Sequence, residues 1–364
     1  MNDTFYIVII VILILLNIYS YCKKENFDGV TDLNEIEKNP IFVHLYDDNG
    51  NKLNVTLISK PLYSDNDFKQ LLVNKPNKIY LGITSYLEFP FDPSNPQDKY
   101  KDIRHKHNNK DYGDYNANYY DMYLDICEGW LHCFRNPKEY LNTNKPMALI
   151  SESDFVNYQN VKPDTSINKE YDYIYSCPKV NADSGCDDWV SYNKNWDLAK
   201  KCVKVMSDMG LKGLLVGRKG CDVPKNCDTT GWVEYAEMLK LYQKAKFVFL
   251  PNQADASPRV LTECLSLNIP CMVNKNILGG WKYVNNKTGE FFTDENDIEK
   301  SVKLLMNNLS KYSPRQYIID NYGPLNSGKR LKKFLYDNFK SRLNIPEHKV
   351  KYVTLRGKLI NFKT

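Results

Sequence analysis

Apolar positions along the chain fall into three regimes with different periods. From Phe5 to Ile18 the sequence FYIVIIVILILLNI carries no charge and only Asn17 as a polar break. With Tyr19 to Tyr21 it nears the roughly 20 apolar residues that cross a bilayer as a helix. Only Asp3 precedes the run and bulky tyrosines follow it, so an uncleaved anchor over residues 1–21 is expected rather than a cleaved signal. Lys23 and Lys24 come directly after, with no Lys or Arg before, and the positive-inside rule then puts the long C-terminal part in the cytosol. A polar linker, 22–39, follows.

The second regime, residues 40–165, holds strand candidates at Ile41–Tyr46, Leu53–Ser59, Lys78–Thr84 and Met147–Ser151, with a helical stretch from Tyr119 to Cys133. Among them RHKHNNKDYGDYNAN is polar and long enough for a lid or an insertion. Residues 157–170 are polar again and read as a hinge. The third regime, 170–320, is more regular. Strands at Tyr171–Ser176, Gly213–Gly217, Phe247–Leu250 and Pro270–Val273 alternate with helices at Trp196–Met209, Glu234–Lys244, Ser257–Leu267 and Ile298–Leu309. Continuously apolar strands alternating with helices make a parallel sheet covered on both faces, a doubly wound domain. Such sheets bind ligands beyond the carboxyl ends of their strands, which singles out the loops after Ser176, Gly217 and Leu250.

At 364 residues the chain exceeds what one core usually supports, so two domains are expected. The balance of 42% hydrophobic and 26% charged residues is that of a globular protein. A net charge of +5, not gathered into one block, argues against a dedicated nucleic-acid binder. Of the 10 cysteines, Cys264 and Cys271 sit in apolar runs and read as buried thiols. Cys221 and Cys227 flank CDVPKNC, where they either pair in an oxidising compartment or pack as thiols in a reducing one; with no CxxC, zinc has no support.

The chemistry concentrates in KFVFLPNQADASPRVLTECLSLNIPCMVN, residues 246–274. Ser257 suits an N-cap and Pro258 the first helical position; Asn268 and Pro270 close the helix. The first-turn amides, from Ala256 onward, then face the strand end as an anion site. Asp255 and Glu263 bracket it. Carboxylates do not hold phosphate but accept hydrogen bonds from sugar and ribose hydroxyls, so the arrangement suits a ligand with an anionic middle and polyol ends. A nucleotide-sugar has that shape.

DASPRVLTE, with YQKAKFVFLPN before it, ILGGWKYVNNKTGEFF after it and LLVGRKG upstream, resembles the C-terminal domain of the group 1 retaining glycosyltransferases of the GT-B fold, over roughly residues 171–310. The Asn-, Lys-, Tyr- and Ile-rich composition with an N-terminal anchor is also similar to that of glycosyltransferases of giant DNA viruses. The resemblance implies two Rossmann-like doubly wound domains facing across a cleft, behind one transmembrane helix. A helix near Lys329–Phe339 in the C-terminal segment 321–364 would cross back to brace the first domain. Asp255 and Glu263 stand at the positions of the family's two signature acids, implying that Asp255 holds the transferred sugar and Glu263 the ribose. Gly279 and Gly280 match its Gly-Gly loop. Lys194 and Arg218 would meet the pyrophosphate of a UDP- or GDP-sugar, aided by Lys219, Ala256, Ser257, Pro258 and Arg259. Retention, no metal or other cofactor, and a glycan, protein or lipid acceptor complete the implied reaction. Two features depart from the pattern: the first acid is an aspartate, and the family's arginine is replaced by Lys179 or Arg218.

A helix N-terminus supplies about 0.3–2 kcal/mol toward the charge of a leaving diphosphate, whereas enzymes lower barriers by at least about 8 kcal/mol; side-chain cations must supply more. Other signals read more blandly. Asp65–Asp67 (DND) reads as an N-cap, His105 and His107 as a loop pair without further ligands, and the basic tail from Pro346 as a solvated edge or packed strand. Asn54, Asn286 and Asn308 open glycosylation sequons, relevant only in a lumenal domain. An epimerase or phosphorylase acting on sugar nucleotides, and a non-catalytic tethered binder, stay open as rivals. A nicotinamide dehydrogenase is disfavoured, since no GxGxxG follows a strand.

Overall fold

Two six-stranded sheets carry the chain, both within the unit Val43–Thr364 except for Phe42 at the start of the first strand. The structure is a computed structural model and describes residues 42–59, 71, 75–84, 89–90, 120–178, 185–187 and 189–356. The expected anchor, Asp65–Asp67, His105, His107 and Lys179 lie outside the described residues, and no described helix is long and apolar enough to cross a membrane.

The first sheet is formed by β1 (Phe42–Asp47), β2 (Lys52–Ile58), β3 (Ile79–Ile83), β4 (Trp130–Leu131), β5 (Met147–Ala148) and, from the far C-terminus, β12 (Val353–Arg356). Its order is β12-β1-β2-β3-β4-β5. From β2 to β5 the pairing is parallel, while β12 lies antiparallel to β1. The basic tail therefore supplies a packed edge strand. The chain returns to this sheet along α8 (Gly323–Phe339), whose Leu331, Phe334, Leu335 and Phe339 pack in one core with Leu45, Val55, Leu81 and Leu131.

One expected element divides. The stretch from Tyr119 to Cys133 is not a single helix: α1 spans Tyr120–Ile126, and after Gly129 the chain runs as β4. A place in the sheet between β3 and β5 absorbs the apolar pair Trp130–Leu131, overriding helical periodicity. The Trp130 ring lies over Gly82, where an added Cβ would come within 2.1 Å of it.

The second sheet, order β11-β10-β9-β6-β7-β8, is parallel throughout. Its strands are β6 (Tyr171–Ser176), β7 (Gly213–Val216), β8 (Cys227–Thr230), β9 (Ala245–Leu250), β10 (Cys271–Asn274) and β11 (Gly289–Phe292). Between them run α2 (Trp189–Asn193), α3 (Trp196–Asp208), α4 (Tyr235–Gln243), α5 (Arg259–Ser266) and α6 (Ile298–Asn307), and α7 (Pro314–Asn321) follows. One face packs under α4, α5 and α7, and the other under α3 and α6. The sequence pattern does not single out β8 and β11, since CDTT is short and largely polar and GEFF has only its phenylalanine pair to mark it. Both are the outermost strands, half-buried, so continuous apolar character is not demanded of them.

Cys264 and Cys271 are buried thiols. Cys221 does not pair with Cys227: it forms a disulfide with Cys186, whereas Cys227 is a buried thiol against the Tyr173 hydroxyl at 3.3 Å. The partner Cys186 lies in the loop after β6, which no local spacing in the sequence connects with Cys221.

Candidate functional site

β6 and β9 are neighbours in the sheet though not in the chain: from β6 the chain proceeds outward to β7 and β8, and from β9 the other way to β10 and β11. Loops at their carboxyl ends diverge and leave a crevice, the usual ligand position of an open α/β sheet. Each loop contributes one charged side chain there. Lys194 Nζ, just beyond α2, donates to Asp255 Oδ2 at 2.7 Å, and Asn252 Nδ2 donates to the same oxygen at 2.9 Å. Asn195 Nδ2 binds the loops together by donating to the Pro251 carbonyl at 2.9 Å. Its backbone is left-handed (φ 54°, ψ 53°), a conformation asparagine tolerates better than most residues, and this corner turns α2 into α3.

Glu263 lies on the second turn of α5 and is buried. The Tyr235 hydroxyl, at the start of α4, donates to its Oε1 at 3.2 Å. Burial pushes the Glu263 carboxyl above its ordinary range, opposed by the Arg259 charge one turn earlier and by the Tyr235 hydroxyl. Asp255 and Glu263 thus stand on one strand-loop-helix turn but hold different partners.

Between them the loop differs in detail from the expected cap. The helix opens at Pro258, whose carbonyl accepts the Leu261 N–H at 3.1 Å, so Ser257 stands one residue outside it. Ser257 Oγ accepts the Ser153 N–H at 3.1 Å and bonds Ser153 Oγ at 2.8 Å, so it faces the first half of the chain. The Gly-Gly loop lies directly on this turn. Gly279 N–H donates to the Asp255 carbonyl at 2.9 Å. A Cβ on Gly279 would lie 1.8 Å from the Ala256 carbonyl oxygen, so only glycine permits the approach. Gly280, with φ 82°, rests against Pro258.

The other expected cations are placed differently. Arg218 is fully buried; its guanidinium donates to Ser191 Oγ at 2.7 Å, the Cys186 carbonyl at 3.2 Å and its neighbour's carbonyl, and stacks over Trp196. Those donors are committed to protein groups rather than turned to the crevice. Lys219 is exposed, its N–H bonded to the Thr230 carbonyl, and Arg259 is exposed at the first turn of α5.

His132 was hidden from the sequence reading inside the supposed helix. It follows β4, donates its N–H to the Ala148 carbonyl and is buried, with no partner for Nδ1 among the described residues. Burial and the nearby Lys282 charge lower its pKa to about 4, so the imidazole is neutral at pH 7. The adjacent Cys133 carbonyl accepts Trp281 Nε1 at 2.9 Å, and Cys133 Cβ would lie 3.0 Å from a Cβ on Gly279. The carboxyl end of the first sheet therefore meets the Gly-Gly loop. Asp154, with no solvent exposure, fastens that contact: it takes Lys282 Nζ at 2.7 Å and the Tyr283 hydroxyl, and its own carbonyl accepts Ser327 Oγ at 2.6 Å. Among the described residues no three His, Cys, Asp or Glu side chains gather as a metal site.

Residues 217–322 match the family model described as "Glycosyl transferases group 1". No curated protein sequence matches the chain. Among solved structures, sucrose-phosphate synthase from Thermosynechococcus elongatus superposes with TM-score 0.52 at 11% identity, covering 75% of this chain and 71% of that one. TarM of S. aureus gives 0.52 at 16% identity over 73% of this chain, which spans about half of TarM (51%). Anabaena Alr3699/HepE, solved in complex with UDP, gives 0.50 at 10% identity, with 74% and 77% covered. The likeness extends over both sheets and is one of fold, the two-part α/β architecture of GT-B type. The matched residues run from β8 to β11 and so supply the β9 side of the crevice: the chain carries a glycosyltransferase group 1 domain on a fold of GT-B type.

Proposed function

We propose that the chain transfers a sugar from a nucleoside-diphosphate sugar, a UDP-sugar foremost, to a hydroxyl of a glycan, protein or lipid acceptor, with retention of configuration and without a metal. The observation that carries this reading is the Lys194–Asp255 pair at 2.7 Å in the crevice between β6 and β9, with the Gly-Gly loop laid against it. One cation and one carboxylate side by side suit a ligand whose diphosphate adjoins a polyol. In this reading Lys194 meets the pyrophosphate and Asp255 the sugar hydroxyls. Glu263, oriented by Tyr235, accepts from the ribose. Lys219 and Arg259, both exposed, add positive potential at the rim.

Neutral His132 brings to the seam a buried ring nitrogen without a partner among the described residues, suited to a hydroxyl of donor or acceptor. The leaving diphosphate receives the acceptor proton, so no carboxylate need act as base. HepE is described with UDP and with UDP-glucose, which favours uridine among the donors for this chain. Attachment to a membrane through residues 1–21 belongs to the same proposal. The test is a hydrolysis and transfer screen of UDP-, GDP- and ADP-sugars with the purified protein. Turnover of one class, lost in Lys194→Met and Asp255→Asn, is the expected result. Failure of every donor to bind or turn over would remove the reading.

A further inference from the structure

The loop after β6 and the loop after β7 are joined by the Cys186–Cys221 disulfide, with Cα atoms 5.9 Å apart and 35 residues between them in sequence. The contact is close by design of the backbone: Gly217 has φ 83°, and a Cβ there would meet Pro178 Cα at 2.4 Å. Under the disulfide lies Arg218. Its Nη1 donates both to the carbonyl of Cys186 itself and to Ser191 Oγ of α2, its plane covers the Trp196 ring at 5.3 Å, and its buried Nη2 has no partner among the described residues. Ser191, Lys194, Asn195 and Trp196 belong to one short segment that runs from α2 into α3. That segment is gripped at one end by Arg218 and the disulfide, and at the other by the Lys194–Asp255 and Asn195–Pro251 contacts.

A single buried guanidinium with an unsatisfied N–H is costly, and a charged group is retained in such a position only where its surroundings hold it. We propose that Cys186–Cys221 and Arg218 together are positioning groups for donor binding: they hold the α2–α3 corner so that Lys194 is presented to the crevice. Opening the disulfide by thiol exchange turns the two sulfurs into two thiols while a dithiol reagent is oxidised to its cyclic disulfide. The Cys186 carbonyl is then no longer anchored, Arg218 loses a fixed acceptor, and the corner carrying Lys194 loosens. Donor affinity falls, while the bond-breaking step in molecules that have bound donor changes little. The inference rests on the reading of Lys194 as the group that meets the donor pyrophosphate.

The experiment compares the full chain in oxidised form and after reduction with dithiothreitol, counting free thiols in each and measuring UDP affinity by calorimetry and donor kinetics in parallel. The expected result is a donor KM and a UDP Kd raised roughly tenfold on reduction, the middle of the range for coupled neighbours, with kcat altered less than about twofold. Cys186→Ser/Cys221→Ser should match the reduced protein and ignore the reagent. Arg218→Met should shift KM the same way and reduce the further effect of dithiothreitol. In Lys194→Met the effect of reduction on UDP affinity should vanish, because its mediator is gone; a merely structural disulfide would still destabilise that variant's binding. Unchanged UDP affinity with two additional thiols counted overturns the positioning role while leaving the transferase reading intact. Oxidised protein that binds no nucleotide at all removes both. Should the double serine variant fail to fold, the reduced wild-type protein and Arg218→Met decide the question.

Discussion

His132 gives a pH signature that can be worked from its surroundings. In an unfolded chain its imidazole takes a proton near pH 6.5; in the fold, burial and the Lys282 charge lower that pKa to about 4. Between these values the unfolded chain binds a proton that the native protein refuses. Stability therefore falls as pH falls: the contribution is whole above about pH 6.5 and is lost as pH drops through about 4. With each pKa unit equal to about 1.36 kcal/mol, the loss approaches roughly 3 kcal/mol below pH 4 and is about 2 kcal/mol at pH 5. Other titrating groups add their own slopes, so the measurement is a difference. Urea unfolding of the native protein and of His132→Asn at pH 7.5 and pH 5 should show the native protein losing about 2 kcal/mol more than the variant. Equal losses in the two chains would mean that the imidazole is solvated, and its proposed place at the seam would have to be given up.

Glu263→Ala should raise the donor KM by about 10- to 100-fold with the fold kept, since hydrogen bonds to a charged group are worth about 1.5–3 kcal/mol; Tyr235→Phe, which removes only the 3.2 Å donor to Glu263, should have a milder effect in the same direction. Gly279→Ala puts a methyl 1.8 Å from the Ala256 carbonyl oxygen. The two loops must part, at a cost of about 1–3 kcal/mol read by thermal unfolding, and the stabilisation that UDP gives should shrink with it. Asp154→Ala strands Lys282, whose side chain is 7% exposed. Removing one partner of a buried pair costs about 3–5 kcal/mol, and Asp154→Leu/Lys282→Met should recover most of it in denaturant unfolding; an additive double variant would show that the two charges do not depend on each other.

The second sheet was legible because its central strands are predominantly apolar and its helices are separated by glycine and proline. YDYIYS, GLLV and AKFVFL are central strands, and α5 follows β9 as its sequence requires. The same logic fails at the edges, where β8 and β11 need only half an apolar face. In the first sheet two-residue strands are held by pairing alone, so Trp130–Leu131 carries no period to read, and His132 was hidden with it. The meeting of Lys194 with Asp255 follows from chain order: the loops after two adjacent, parallel strands must share an end of the sheet. What spacing does not carry is which cation is spent elsewhere. Arg218 and Lys194 look alike as isolated bases, and only the Cys186–Cys221 link, 35 residues long, explains why one is buried under a loop while the other reaches the crevice.

The pair in the crevice also implies a sequence of exchanges. In the structure Asp255 holds Lys194 at 2.7 Å, their side chains 12% and 22% exposed, so the cation proposed for the diphosphate is engaged by the acid proposed for the sugar. An arriving diphosphate must displace that carboxylate, and the freed Asp255 then accepts hydroxyls of the sugar on the same ligand. The two halves of the donor are thereby recognised together. Nucleotide without sugar meets the competition but gains nothing from the freed acid. Asp255→Asn should therefore act in opposite directions on the two ligands. It should tighten UDP by about fivefold, given the roughly 1 kcal/mol typical of a partly screened pair, while lowering transfer from the UDP-sugar steeply. Calorimetry with UDP and initial rates with the sugar nucleotide read the two effects separately. Weaker UDP binding in the variant would show that Asp255 holds Lys194 in place for the phosphate rather than competing with it, and the exchange would be wrong.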